Sequence, residues 1–189
     1  MILRGGFWMN LPNKLTLLRV LLIPLCVALE ALGMYPWALG VFLCASAPDF
    51  LDGYLARKNG QITVFGKFAD PVADKLLVLC AMIQLAADGA LWPWAVCVVA
   101  ARELAVDGLR LVAAGKKQVV AAKMPGKIKT VLQMVCVSFA MLGMFAPLPG
   151  FLVPCLAAAM AAATVWSGAK YFTELKDVFT EPETGSGKE

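Results

Sequence analysis

Asp49, Asp52, Asp70 and Asp74 fall within one stretch, PDFLDGYLARKNGQITVFGKFADPVADK, residues 48 to 75. Asp49 and Asp52 are three residues apart and Asp70 and Asp74 four apart. On helices each pair would project from one face, its members about 60° and about 40° apart around the axis. Four convergent carboxylates cannot all stay ionised without a counter-charge, because like charges a few ångströms apart drive a pKa upward. Hard divalent cations supply that charge. Oxygen ligands, a chain without histidine and a cluster without cysteine favour Mg²⁺ or Mn²⁺ over zinc or copper. Gly53 and Ala56 leave little bulk beside Asp52, so a ligand or a backbone can come close. Arg57, at the same mouth, has the planar fork that suits phosphate oxygens. Carboxylate-held metals beside an arginine suggest pyrophosphate chemistry. Taken singly, Asp70 before Pro71 reads as a helix cap, Asp74 as a partner of Lys75 or Arg57, and Asp52-Gly53 as a turn. Those separate readings leave unexplained why all four flank one short loop.

A second group is cationic. Arg102 and Arg110 are eight residues apart, within roughly 80° on one helix, and Lys127 and Lys129 open the next apolar stretch. Such a cluster suits a phosphate-bearing acceptor better than serine or choline, although the same cations could simply neutralise Glu103, Asp107 and anionic headgroups. Asn13, Thr16 and Arg19 recur at three-residue spacing and line one face of the first apolar segment.

The elements that must hold these residues are membrane helices. The chain is 60% hydrophobic and 16% charged, with a mean hydropathy of +0.75, too apolar for an ordinary soluble domain. Six stretches reach the length of a span, roughly 15–33, 35–57, 67–87, 92–114, 128–146 and 150–172. Lysines and arginines precede the first stretch (Arg4, Lys14), separate the second from the third (Lys58, Lys67) and the fourth from the fifth (Lys116, Lys117, Lys123, Lys127), and recur in the tail (Lys176, Lys188). The alternate connections, near 33–36, 87–92 and 146–150, have neither. The positive-inside rule then predicts an all-α integral membrane protein with six transmembrane helices, both termini cytoplasmic and the carboxylates at the cytoplasmic face. The net charge of +4 is accounted for by this topology and by anionic lipid, and nothing in it points to nucleic acid.

The expected division is an interfacial segment over 1–14, a six-helix domain over 15–173 and a polar tail over 174–189. The first apolar run is too long for a signal-peptide core, carries Arg19 and lacks a cleavage site, so it is expected to be retained. Cys26, Cys44, Cys80, Cys97, Cys136 and Cys155 all lie in apolar stretches without C-x-x-C spacing and read as packing residues.

The spacing D-x-x-D-G-x-x-A-R-x8-G-x3-D-x3-D, running from Asp49 through Asp52, Gly53, Ala56, Arg57, Gly66 and Asp70 to Asp74, resembles the signature of the CDP-alcohol phosphotransferase family of integral membrane enzymes. The stretches NLPNKLTLLR (10–19), FADPVADK (68–75), ARELAVDGLR (101–110) and GKIKT (126–130) resemble its bacterial branch that makes phosphatidylglycerophosphate. MNLPNKLTLLR also resembles the start of relatives, which would make Met9 the native start and MILRGGFW an addition lying on the membrane surface. Pro48 departs from the pattern: relatives generally carry a small hydroxyl residue there, and a proline within the helix bears on the aim of Asp49.

The resemblance implies direct transfer of a phosphatidyl group from CDP-diacylglycerol to the 1-hydroxyl of glycerol 3-phosphate, with CMP leaving and no covalent enzyme intermediate. It implies two Mg²⁺ or Mn²⁺ ions on Asp49, Asp52, Asp70 and Asp74, with Asp74 also taking the hydroxyl proton. Gly53, Ala56, Arg57, Gly66, Asn13 and Thr16 would edge the CDP-diacylglycerol site, and Arg19, Arg102, Arg110, Lys127 and Lys129 would hold glycerol phosphate. It further implies a homodimer in a bacterial plasma (inner) membrane, multi-pass. Inositol phosphate or phosphatidylglycerol as acceptor, or a cation-coupled transporter using the same carboxylates, are the alternatives.

Overall fold

The structure, a computed structural model, describes residues 11–46, 64–115 and 124–180, with the end turns of several helices as backbone only. The described residues form six helices and their turns: α1 Leu11–Ala31, α2 Tyr35–Ser46, α3 Val64–Ala87, α4 Pro93–Gly115, α5 Met124–Gly143 and α6 Leu152–Thr180. The chain is all-helical over these residues.

Helix ends follow local chemistry. Gly33 after α1 and Gly89 after α3 both adopt positive φ, 71° and 77°, where a side chain would be strained. Each closes a Schellman turn. Gly33 N–H donates to Glu30 O at 2.8 Å and Met34 N–H to Leu29 O at 2.8 Å; Gly89 N–H donates to Ala86 O at 3.2 Å and Ala90 N–H to Leu85 O at 2.8 Å. These two turns lie side by side, because the Tyr35 hydroxyl donates to Asp88 at 2.9 Å. At the other end α1, α3 and α5 begin about one turn before the apolar stretches at 15, 67 and 128, since no residue there obliges the helix to stop. Pro12 and Pro125 are tolerated because both occupy first turns, whose N–H groups have no helical partner anyway. α6 runs to Thr180, into the segment expected as tail from 174, because ELKDVFT lacks a breaker before Pro182.

Buried charges and exposed leucines set this bundle apart from a soluble one, although its core is mainly apolar. Arg19, Glu30, Glu103 and Lys129 are buried to 4%, 1%, 4% and 4% exposure, whereas Leu32, Leu104 and Leu111 are 73%, 72% and 77% exposed. Polar groups inside and leucines outside are what hydrocarbon solvent selects. Two helical windows, Gly126–Gly143 and Leu152–Thr173, are long and apolar enough to cross a membrane by length and composition. α3 and α4 are more charged, carrying Lys67, Asp70, Asp74 and Lys75 on one and Arg102, Glu103, Asp107 and Arg110 on the other. The apolar core is continuous across α1, α2, α3, α4, α5 and α6 through Cys26, Phe42, Met82, Val99, Met141 and Met160. α3 is central: it packs against α1, α4 and α5, while α6 packs against α4 and α5.

Candidate active site

Three helices bring polar residues to one level of the bundle. On α3, Asp74 and Val78 are one turn apart; on α4, Val99 and Glu103; on α5, Lys129 and Gln133. These six line a cavity of about 100 Å³ between α3, α4 and α5, together with Lys75, Leu79 and Thr130. Glu103 is its electrostatic centre. It pairs with Lys129 from α5, lies 3.7 Å from Lys75 Nζ of α3 and 3.4 Å from Arg102 Nη1 of its own helix. Lys75 also pairs with Asp107 one turn along α4. A carboxylate at 5% side-chain exposure is tolerable only with such compensation.

Below the cavity the two arginines of α4 are set against α6. Arg102 donates from Nη2 to Ser167 Oγ at 2.7 Å, and Arg110 from Nη2 to the Tyr171 hydroxyl at 2.7 Å. Both guanidinium carbons stand over the Tyr171 ring, 5.4 Å and 5.2 Å from its centroid, within cation–π range. Gly168 makes this approach possible, since a Cβ there would meet Arg102 Cγ at 3.1 Å. Neither Nε, on Arg102 or on Arg110, has a hydrogen-bond partner among the described residues. Two enclosed guanidiniums with donor capacity to spare can take an anion.

Several residues singled out in the sequence are placed by these helices. Arg102 and Arg110 do share one neighbourhood, joined by Tyr171. Lys129 is buried against Glu103, while Lys127 is exposed. Arg19 is buried where α1 meets α2, its Nε donating to Ala45 O at 3.0 Å. Asp70 lies seventh in α3, so it is not the cap of that helix. Asn13, Thr16, Gly66 and Asp70 are described as helix backbone only, and Asp49, Asp52, Gly53, Ala56 and Arg57, with Pro48, lie outside the described residues. Gln133, Ser167, Gly168 and Tyr171 carry no motif signal. Gln133 alone could have been noticed, as an uncharged polar residue four positions after Lys129 in an apolar helix.

Among the described residues no three carboxylate, thiol or imidazole side chains gather as a metal group. The donor set still fits a hard divalent cation. Asp74 lines the cavity from α3, Asp70 precedes it by one turn on that helix, and a carboxylate offers the oxygen donors such a cation takes. A softer metal would find neither thiolate nor imidazole among the residues lining the cavity.

The sequence profile of the family described as CDP-alcohol phosphatidyltransferase matches residues 9–168, which include Asp49, Asp52, Asp70 and Asp74 and the cations Arg19, Arg102, Arg110, Lys127 and Lys129. The chain belongs to this family. It is 46% identical over 145 residues, 68% of this chain and 75% of the relative, to a Bacillus subtilis protein named CDP-diacylglycerol–glycerol-3-phosphate 3-phosphatidyltransferase. A Rickettsia typhi protein of the same name is 37% identical over 180 residues, 90% of this chain and 99% of the relative. A Mycobacterium tuberculosis protein named probable phosphatidylglycerophosphate synthase is 38% identical over 186 residues, 94% and 87% of the two chains. As a member of this phosphatidyltransferase family with an apolar exterior, the chain is a membrane protein.

Proposed function

We propose that this chain transfers the phosphatidyl group of CDP-diacylglycerol to the 1-hydroxyl of sn-glycerol 3-phosphate, giving phosphatidylglycerophosphate and CMP. The observation that carries the reading is the shared cavity: Asp74, last residue of the aspartate motif, and Lys129, from the cationic group, are walls of one space although 55 positions separate them in the chain. The names of the relatives support the choice of donor and acceptor.

In this reading Asp49, Asp52, Asp70 and Asp74 hold two Mg²⁺ or Mn²⁺ ions. Bound there, such ions neutralise the diphosphate and the departing CMP, as paired cations do in other in-line displacements. The residues of the chain do the rest. Gly53, Ala56, Gly66, Asn13 and Thr16 border the nucleotide, and Arg57 takes diphosphate oxygens. Arg102 and Arg110, fixed by Ser167 and Tyr171, offer guanidinium donors to the acceptor phosphate, assisted by Lys127 and by the charge of Lys129. Arg19, held at Ala45 O where α1 meets α2, is assigned to the acceptor on the resemblance alone. The acceptor hydroxyl attacks the phosphorus bearing diacylglycerol, its proton passes to the Asp74 carboxylate, and the bond to CMP breaks. Asp74 acts mainly by position, since a carboxylate is a weak base for an alcohol. The enzyme works as a multi-pass, six-helix protein of a bacterial plasma membrane, active site and both termini on the cytoplasmic side, as a homodimer. Its six-helix domain takes in residues 11–180, with an interfacial segment before it and a polar stretch after.

Extraction of lipid products after incubation with CDP-diacylglycerol and glycerol 3-phosphate, inositol phosphate or phosphatidylglycerol tests the acceptor. Phosphatidylglycerophosphate from the first alone is expected. A product from either other acceptor at an equal or greater rate would overturn the assignment.

A further inference from the structure

Gln133 is not used by the reaction as written above. It is 4% exposed, lines the cavity from α5 one turn deeper than Lys129, and its Nε2 has no hydrogen-bond partner among the described residues. Buried amide donors are nearly always satisfied, so one without a partner on a residue that lines a cavity points to a ligand. Its polar neighbours on the wall are engaged: Lys129 with Glu103, and the Thr130 hydroxyl with Gly126 O at 3.1 Å. A neutral amide in this place suits a neutral oxygen better than a phosphate.

We infer that Gln133 recognises the secondary hydroxyl of a short phosphopolyol acceptor by donating a hydrogen bond to its oxygen, and so selects a vicinal diol phosphate over its deoxy analogue. The inference rests on the proposed function and deepens it. An attacking hydroxyl at Asp74 brings the acceptor's adjoining carbon against this cavity, where Gln133 is the donor to spare. Val78, Leu79 and Val99 close the remaining wall, and a cavity of about 100 Å³ accommodates a three-carbon chain. A site built to bond a hydroxyl rejects the analogue lacking it, because its own polar group is then left unpaired.

The test compares glycerol 3-phosphate with 3-hydroxypropyl phosphate, which lacks only the secondary hydroxyl, in the wild type and in Gln133→Met. The wild type should prefer glycerol 3-phosphate by roughly 10- to 100-fold in kcat/KM. Gln133→Met should lose most of its activity on glycerol 3-phosphate but keep that on the analogue, so the preference falls to within about threefold, with the KM for CDP-diacylglycerol unchanged. Equal use of the two acceptors by the wild type overturns the inference without any variant. Equal loss on both acceptors in Gln133→Met also overturns it, since that is what a merely structural glutamine would give. No turnover of glycerol 3-phosphate by the wild type, with turnover of another acceptor, overturns the proposed function and this inference with it.

Discussion

Asp74 and Lys75 are neighbours in the chain, yet the lysine is engaged across to α4 by Asp107 and Glu103. The carboxylate lines the cavity, where an acceptor hydroxyl would sit. Asp74→Asn keeps the shape and removes the basic oxygen. Its kcat should fall by about 10²- to 10⁴-fold even at saturating divalent metal, with CDP-diacylglycerol still bound. Asp70→Asn should instead raise the metal concentration needed for half-maximal rate, leaving kcat closer to normal once metal saturates. Near-normal kcat in Asp74→Asn, measured by CMP release, would remove the proton-acceptor role.

At the scale of elements, the contact between Glu103 and Lys129 joins α4 to α5, and Lys75 ties α3 to the same carboxylate. Breaking such a pair from one side strands a buried charge. Glu103→Leu should therefore lower stability by about 3–5 kcal/mol, and adding Lys129→Met should restore a large part of it. Thermal unfolding in detergent reads both effects; a single variant as stable as the wild type would mean the pair is not what holds these helices. This pairing also shows the limit of sequence reading. The helical character of the chain and the shared face of Arg102 and Arg110 were legible, because both follow from local patterns, while half of the aspartate motif lies outside the described residues. Which cation meets which carboxylate was not legible, because α4 and α5 come within side-chain reach only through their common packing on α3 and α6, which no local period encodes. Asp70 looked like a helix cap because Pro71 follows it, and α3 in fact begins at Val64, one turn and more before the aspartate. Tyr171 and Gly168 were invisible for the same reason as the pairings: each matters only because α6 crosses α4 there.

Over the described residues, a cluster of buried charges is set into an apolar core beneath an apolar exterior. Beyond the cavity the core continues through Leu77, Ala81, Met82 and Leu85 of α3, up to the glycine turns that close α1 and α3. The buried charges around Glu103 and the arginines over Tyr171 thus lie on one side of an apolar layer, with buried Glu30 and the Tyr35–Asp88 pair on the other. The most direct test of the account uses purified protein in lipid nanodiscs with CDP-diacylglycerol, following CMP and phosphatidylglycerophosphate together. Equal amounts of both products are expected only when glycerol 3-phosphate and Mg²⁺ or Mn²⁺ are present, with complete loss in excess chelator and recovery on adding the metal back. Normal turnover in excess chelator, or CMP formation without a lipid product, would contradict it.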